Sequence, residues 1–579
     1  MLQTTGLLAS ERAEALAQSS LPPLLWMAVG FFVLCGLLIS AICTLIEHSL
    51  LVVPPALAQM RRSANEEGSA NIISASRVEH ERQRRKQEQS RVQHRWAALV
   101  PMSAAIGAAL FLQGSSLHAG DTSNPAPAPS PAKAADTSLL SFADGRVVFD
   151  IEERVRFESR ENTRDFDSSV DDDNDDAWLL NRFRLGVAIK PVSWLKVYAQ
   201  TQDAREGFSD RSNIPGVRGA EGTDAFDLRQ AYVAIGDLKT TPVQLTLGRQ
   251  ILGYCDNRLV GDSKWGNLGR TFDAARLRYE KKPFSVEAFF ARPVQIERGE
   301  FNSSDAEDNF AGLYFSTEAA KIQTTDAYVF YRNKNDQQPD LDPINRLNPR
   351  GTWNGPAAEF VTVGFRVKSL PDKLGPWDYT GEVAVQSGDV HQTDKQSTSR
   401  NLRALASHVN AGYTAQGVSW KPRFALEYNF ASGDDDPLDG DLHSFQNLFP
   451  SNHEKYGFMD EFGWRNIHDL RVQTTAKPAK EWEIGFDYHA FFLANTEDYW
   501  YRSNGISTLR TRTPDGVDVR TIGARSFAGH EVDFTIGYEW RKNVKVQAGY
   551  SHFFAGDYLS DTGAADDADF GYLMTTISY

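Results

Sequence analysis

The feature that most restricts the fold is a regular alternation of apolar and polar residues that begins near residue 146. In segment 480–493, large apolar side chains alternate with Glu483, Asp487 and His489. Segment 420–431 repeats this pattern, and no convincing amphipathic helix separates the repeats. A period of two places the two sets of side chains on opposite faces of a β-strand. The alternation therefore predicts a large sheet with one apolar and one polar face.

About eighteen strands are predicted, and an even number is typical of closed bacterial barrels. The apolar face of each strand would contact lipid, because a charge near the membrane midplane costs about 2–4 kcal/mol. The predicted strands are 146–158, 178–190, 194–204, 224–236, 242–249, 271–280, 284–292, 309–317, 324–332, 358–369, 377–387, 404–414, 420–431, 467–476, 480–493, 530–541, 545–554 and 569–579.

The lengths of the connections between these strands also alternate. Connections such as 191–193 and 281–283 are short, whereas 333–357, 432–466 and 494–529 are long. Outer-membrane barrels have short periplasmic turns and long extracellular loops, and a soluble β-sandwich has no reason to keep this order. We therefore predict an all-β fold, a transmembrane antiparallel β-barrel in the bacterial outer membrane. It would span residues 145–579 and follow a non-barrel N-terminal region with apolar segments.

Composition agrees with this fold and excludes several functions. The chain of 579 residues has a formal net charge of −15 and a mean hydropathy of −0.42. Barrel strands alternate apolar and polar residues, so their average hydropathy resembles that of a soluble protein. An acidic chain lacks the basic face that nucleic-acid binding needs, so no nucleic acid is expected as a partner.

Cysteine and acidic residues predict no disulfide, metal site or cofactor. Cys255 is the one cysteine after the N-terminal region, so the barrel cannot form an internal disulfide. No Cys/His cluster has the spacing of zinc ligands. Acidic runs at 165–176, 434–441 and 561–569 lack the ligand order of an EF-hand, and we interpret them as solvated loops.

The N-terminal region divides into three parts. Residues 1–94 contain one apolar run, 24–46, which is long enough to cross a bilayer as a helix. Residues 95–119 resemble a secretory signal peptide, with an apolar run and small residues before a cleavage site near Ala119. Residues 120–144 form a linker rich in proline and alanine that cannot pack a core.

Two interpretations of residues 1–94 stay open. In the first, 24–46 is an inner-membrane helix, the basic stretch after it is cytoplasmic, and 96–112 re-enters the membrane. In the second, the functional start lies downstream, at Met60 or near Val92. The early residues would then be a wrongly assigned start or a fusion.

The positions opposite the apolar set, which would face the lumen, are comparatively rich in arginine. Arginine presents a rigid fork of donors that suits carboxylates, and it stays charged at any working pH. Interspersed acids would keep binding weak enough for release, as conduction requires. The alternative for any single arginine is an ion pair that only braces the wall. The conduit candidates on the strands are Arg154, Arg156, Arg182, Arg184, Arg276, Arg278, Arg366, Arg423, Arg471 and the acid Asp487.

Segment 247–280 reads LGRQILGYCDNRLVGDSKWGNLGRTFDAARLRYE and follows LRQAYVAI at 228–235. The combination of GRQ at 248–250 with RTFD at 270–273 resembles the alginate-export family of outer-membrane proteins. The resemblance covers roughly residues 145–579 and leaves the N-terminal region outside. It implies a monomeric barrel of eighteen strands with an arginine-rich, electropositive constriction that exports a uronic-acid polymer.

The resemblance further implies roles for Arg249, Arg258 and Arg270, which match the motif and would line the constriction or anchor a loop. Arg249 falls in the lipid-facing phase of its strand, so it reaches the lumen only beyond a bulge or at the mouth of the loop. Cys255 stands where a glycine is expected. The implied partners are an anionic polysaccharide, outer-membrane lipid and lipopolysaccharide, and periplasmic proteins of a secretion complex.

Three functions are therefore compared. The first is a channel that exports an anionic, alginate-like polysaccharide, and the second is a general or small-anion porin on the same barrel. The third, an outer-membrane hydrolase, has its best support in Asp487 and His489, which would share a lumen face. Nucleophilic catalysis also needs an activated nucleophile, and no motif assembles one. We therefore expect a channel and not an enzyme.

Overall fold

The computed structural model describes residues 140–169, 175–208, 222–297, 301–335, 357–391 and 398–579. The apolar span predicted within residues 1–94, the signal-like segment 95–119 and most of the linker 120–144 lie outside the described residues. Among the described residues, no helix has both the length and the apolar character to cross a membrane.

Within the described residues, eighteen long strands and three two-residue strands make up one sheet system. The long strands coincide with the eighteen that the alternation predicts, and most extend further. They are β1 (Val147–Glu161), β2 (Asp176–Val192), β3 (Leu195–Gly207), β4 (Asp224–Ile235), β5 (Val243–Gln250), β6 (Phe272–Lys281), β7 (Phe284–Gln295), β8 (Asp308–Thr317), β9 (Gln323–Lys334), β10 (Ala358–Ser369), β11 (Trp377–His391), β12 (Ser399–Thr414), β13 (Arg423–Ala431), β14 (Ile467–Ala476), β15 (Trp482–Phe492), β16 (Phe527–Arg541), β17 (Val544–Ala555) and β18 (Ala568–Ser578).

The strands form a closed antiparallel barrel. Each strand pairs with the strands before and after it in the chain, as β2 does with β1 and β3. The circle closes where β18 pairs with β1, with Ser578 opposite Glu152 and Asp569 opposite Glu161. Closure leaves no strand edge unpaired in lipid, where an unsatisfied backbone group is costly. The predicted fold class and the strand count are confirmed.

Exposure follows the predicted two faces of each strand. On β13, Leu426 is 67% exposed, whereas its neighbour Glu427 is 6% exposed and faces the interior. Five exposed tryptophans lie at or next to the short-turn ends of the strands, where an aromatic girdle meets the membrane interface. They are Trp194, Trp377, Trp420, Trp482 and Trp540. The short turns therefore mark the periplasmic end.

At the opposite end, long connections turn inward and fill part of the barrel. Residues 251–271, 432–466 and 493–526 pack against the inner wall, and their aromatic side chains form a buried core with it. Trp464, Trp500 and Tyr456 are fully buried in this core. One short helix, α1 (Asp557–Thr562), precedes β18. The wall thus encloses a protein interior on the extracellular side.

Candidate functional site

The site is built around residues 251–271, the connection from β5 to β6, which we term the bridge loop. Left-handed backbone at Cys255 (φ 54°), Asn257 (φ 68°) and Ser263 (φ 49°) turns this loop sharply, a conformation that non-glycine residues seldom adopt. Gly269 (φ 73°) makes the last turn before β6. A Cβ at Gly269 would lie 3.1–3.2 Å from guanidinium nitrogens of the wall, so the loop approaches the wall closely there.

One wall of the barrel holds the bridge loop with arginines. Arg154 on β1 donates to the carbonyls of Lys264 (2.9 Å) and Gly266 (3.3 Å). Arg182 on β2 donates to the same two carbonyls, at 3.2 and 3.1 Å. Arg156 donates to the Trp265 carbonyl at 2.7 Å, and its guanidinium lies 3.8 Å from the centre of the Trp265 ring. These three arginines therefore anchor a loop.

The opposite wall holds the loop through Arg258. Its guanidinium donates to Asp256 on the same loop (2.8 Å) and to Glu427 on β13 (2.8 Å). It also donates to Asn429 on β13 and to the hydroxyl of Tyr456, both at 3.1 Å. Arg258 and Glu427 are buried. A loop tied to β1 and β2 at one side and to β13 at the other crosses the lumen, so we describe it as a bridge.

The bond between Asp256 and Arg258 keeps its charges over the neutral pH range. Burial, the largest single influence, would raise the pKa of Asp256, but nearby positive charges, of which Arg258 has the largest effect and Lys455 the next, outweigh it. They hold the pKa of Asp256 well below its usual range. A lowered pKa contributes stability above the ordinary pKa of an aspartate, and the contribution is lost as pH falls through the folded value.

A second inward connection, residues 432–466, covers the bridge loop, and we term it the cover loop. Val260 and Phe449 form a backbone bridge between the two loops. Arg270 donates to the carbonyls of Gly261 (3.1 Å) and Pro450 (2.9 Å), so this motif arginine joins the loops. The ring of Trp265 stacks on His453 of the cover loop with centroids 3.8 Å apart.

Four further candidate arginines face the lumen side of the wall but are held by neighbouring polar groups. Arg366 pairs with Asp326 at 2.9 Å. The other pairs are Arg184 with Gln202 (2.7 Å) and Glu152 (3.3 Å), Arg423 with Asp378 (2.6 Å), and Arg471 with Asp487 (3.0 Å). Arg184, Arg366 and Arg471 are also buried. These positions match a wall-bracing role more closely than direct contact with a moving solute.

Three cations remain accessible beside the bridge loop. The side chains of Arg276 and Arg278 on β6 are 29% and 42% exposed, and both lie near Glu287, at 3.9 and 3.7 Å. Arg278 also pairs with Glu280 at 2.8 Å. The side chain of Lys264 on the loop itself is 49% exposed. Arg276 and Arg278 follow the loop toward the periplasmic turn, so they lie on its periplasmic side.

Arg249 lies in the outward phase of β5, as simple alternation indicates. It is the cross-strand partner of Asp273, and its guanidinium binds both carboxylate oxygens of that residue at 2.9 and 3.1 Å. Leu247, two residues earlier, is exposed on the same face. This pair joins β5 to β6 beside the start of the bridge loop.

Asp487 and His489 do not form a catalytic pair in the described contacts. Arg471 holds Asp487, and His489 Nδ1 lies 2.9 Å from Asp469. The Nε2 atom of His489 is 3.9 Å from Asp533. Both side chains are buried among ion pairs, and Arg471 and His489 are direct cross-strand partners.

An acidic group in the cover loop was interpreted from sequence as part of a solvated run. Asp434, Asp435 and His443 each place one possible ligand atom within 4.8 Å of the others. Arg400 binds Asp434 at 2.6 Å. The hydrogen bond that the His443 ring donates to the Asp435 carboxylate raises the pKa of His443. The contacts therefore balance the acidic charge with Arg400 and a more basic histidine.

Sequence reasoning missed the bridging role of residues 251–271. The wall arginines bind backbone carbonyls of this loop. Every residue has a backbone carbonyl, so the sequence does not show which ones accept a hydrogen bond. The signal that could have located the bridge was the GRQ–RTFD motif itself, because its charged residues flank a connection of loop length.

Comparisons with known proteins place this geometry in context. A family model described as alginate export matches residues 146–572. No curated protein matches the chain at a significant level. Solved structures that are similar include OccK5 (OpdH) of Pseudomonas aeruginosa, with 12% identity over 75% of this chain and 97% of that one, at a TM-score of 0.45.

Two other similar structures are OpdK of Pseudomonas aeruginosa and OccAB1 of Acinetobacter baumannii. OpdK, solved with vanillate, has 10% identity over 74% of this chain and 98% of that one, at a TM-score of 0.46. OccAB1 has 9% identity over 77% of this chain and 99% of that one, at a TM-score of 0.47.

Proposed function

The chain belongs to the alginate-export family, and on that premise we propose that it exports an anionic polysaccharide of uronic acids past the bridge loop. As a member of this family it is an outer-membrane channel of the bacterial envelope. The proposal concerns the cargo and the part of the lumen that contacts it. The sequence predicts a pore lined by arginine. In the proposed channel, most of these arginines instead hold the walls and the bridge loop.

The observation that carries the proposal is the division of the cations into two sets. One set donates hydrogen bonds to the bridge loop or from the loop to its partners, and it consists of Arg154, Arg156, Arg182 and Arg258. The set that stays partly exposed beside the bridge loop consists of Lys264, Arg276 and Arg278, and nearby carboxylates partly neutralise it. Such a set attracts a polyanion without trapping it, as conduction through several weak sites requires.

A uronic-acid polymer matches this set chemically. Each sugar carries one carboxylate, and arginine binds carboxylates with two parallel hydrogen bonds. Exposed ion pairs are worth only about 0–1 kcal/mol each, so a chain can exchange one cation for the next. A rigid loop held at both walls keeps the passage narrow while the polymer moves.

A small-anion porin is the second candidate, and a specific observation favours it. The inward loops form an aromatic core on the extracellular side, with Trp464 and Trp500 fully buried. This core narrows the lumen there, and a narrow lumen suits a small anion. Planar-bilayer recordings of the purified protein separate the candidates. Block of the anion current by oligouronates, with no block by neutral oligosaccharides of equal length, supports polysaccharide export. Equal permeation of unrelated small anions, without block, supports the porin.

Replacing Arg276 and Arg278 together with glutamine is expected to lower anion selectivity. Each of these charges lowers the free energy of a nearby anion by about 0.5 kcal/mol. Loss of both charges should therefore lower the ratio of anion to cation permeability roughly fivefold. Reversal potentials under a salt gradient measure this ratio. The matched control is Arg205→Gln, because Arg205 is exposed on the outer face and pairs with Asp203. A double variant with the reversal potential of the control would contradict a lumen role for these arginines.

A further inference from the structure

A group of polar and aromatic side chains at the periplasmic end of the lumen takes no part in holding the bridge loop. Lys196 and Tyr198 lie on β3, Tyr232 lies on β4 and Asp150 lies on β1. All four are partly exposed, whereas Val197, between the first two, is exposed on the lipid face. The group therefore faces the lumen, close to the short turns that end β2 and β4.

The rings of the two tyrosines form a tilted platform, and a cation lies over part of it. Tyr198 and Tyr232 are direct cross-strand partners, and their ring centroids are 5.3 Å apart at an angle of 41°. The ammonium nitrogen of Lys196 lies 5.1 and 5.2 Å from the two centroids and donates to the Tyr232 hydroxyl at 3.0 Å. A lysine placed this way still has donors for a further acceptor, because its ammonium carries three.

Hydrogen bonds fix the platform in place. The Tyr198 hydroxyl lies 3.0 Å from both carboxylate oxygens of Asp150, and Gln200 donates to the same carboxylate at 3.1 Å. Tyr198 reaches Asp150 by crossing β2 above Gly186. A Cβ at Gly186 would lie 2.2 Å from the Asp150 carboxylate and 2.5 Å from the Tyr198 hydroxyl. Glycine at this position therefore permits the arrangement, and the rings are held before any ligand arrives.

We propose that Lys196, Tyr198 and Tyr232 form a sugar-binding subsite at the periplasmic mouth, which takes one uronic-acid residue of a polysaccharide. The C–H face of a pyranose ring packs on the tyrosine rings, which offer a large apolar surface with a polar edge. The carboxylate of the same sugar binds the ammonium of Lys196. The group therefore recognises two features of one sugar together, its pyranose ring and its carboxylate.

This inference rests on the proposed function and makes it more specific. Small inorganic anions would use Lys196 alone, and neutral sugars would use the tyrosines alone. Neither would obtain both contacts, so the subsite separates uronic-acid chains from other solutes before they reach the bridge loop. Pockets built from aromatic surface and a few fixed polar groups are the usual form of a small-molecule site.

Single-channel recordings with three variants test the subsite. The probes are a uronic-acid hexamer, a neutral hexasaccharide and potassium chloride alone, each added on the periplasmic side. Lys196→Gln should raise the half-blocking concentration of the uronic-acid hexamer about tenfold and leave the neutral hexamer unchanged. Tyr232→Leu should weaken block by both hexamers, and Tyr232→Phe should keep the block because the ring is retained. Chloride conductance should stay close to the original value in all three.

The matched control is Tyr279→Leu, because Tyr279 is an exposed tyrosine in the lipid-facing phase of β6. Only channels that have inserted contribute to these recordings, so a loss of assembly cannot imitate a loss of binding. Unchanged block in both Lys196→Gln and Tyr232→Leu, with block of the original protein intact, would overturn the subsite alone. Absence of block by the uronic-acid hexamer in the original protein would overturn the subsite and the proposed function together.

Discussion

Replacing Arg258 with alanine is expected to raise single-channel conductance severalfold while the barrel itself stays assembled. The substitution removes the side chain that joins the bridge loop to Glu427 and Asn429 on β13 and that also binds Asp256 of the loop itself. Loss of one partner from a buried ion pair costs about 3–5 kcal/mol, because the remaining charge is left without compensation. The loop can avoid this cost by leaving the far wall, which opens the passage that it crosses.

Conductance in planar bilayers measures the opening, and heat-dependent migration on gels checks that the barrel is intact. Arg520→Ala is the matched control, because Arg520 forms an ion pair with Asp518 in another loop, outside the bridge. The Arg258 variant should also lose discrimination between oligouronates and neutral oligosaccharides. Conductance equal to that of the control would mean that the bridge loop does not limit the passage.

Replacing Leu426 with arginine is expected to prevent most of the protein from assembling in the outer membrane. Leu426 lies near the middle of β13 and is 67% exposed on the lipid-facing side. An arginine at the membrane midplane of a barrel costs about 2–4 kcal/mol, and its neighbours across the strands, Ala411 and Val472, offer no acceptor side chain.

The matched control places the same arginine on the inner face. Gln547 on β17 is partly exposed and lies in the lumen-facing phase of its strand, so Gln547→Arg should assemble normally. Urea titration of the protein refolded into lipid vesicles gives the free energy of unfolding for each variant. A similar loss of stability in both variants would show that the two faces of the wall are assigned wrongly.

The strand positions and their faces could be read from the sequence because both depend on local order. Each strand by itself shows the period of two between apolar and polar residues. A charge on the lipid-facing side is costly, so this period also identifies the two faces. The predicted strand 404–414 begins later than the observed Ser399–Thr414. The first residues of that strand pair with the end of the preceding strand β11, where Ser399 lies opposite His391, whereas β13 pairs only with residues 406–414. Pairing with β11, and not hydropathy, therefore decides where β12 starts.

The roles of the arginines depended on contacts between distant segments. The sequence marked Arg154, Arg182 and Arg258 as inward or motif residues, but their partners lie at least 80 positions away along the chain, at Lys264, Gly266 and Glu427. Two of these acceptors are backbone carbonyls, which every residue possesses. No composition or spacing could therefore distinguish an arginine that holds a loop from one that contacts a solute.

The sequence by itself determined a closed barrel of eighteen strands, its inner and outer faces, and the family to which it is similar. The tertiary structure decided that residues 251–271 cross the lumen, that most inward arginines hold this loop or brace the wall, and that Lys264, Arg276 and Arg278 stay exposed. The difference has one physical cause. An apolar face toward lipid is repeated in every strand, whereas the path of the loop depends on a few hydrogen bonds between segments that are distant along the chain.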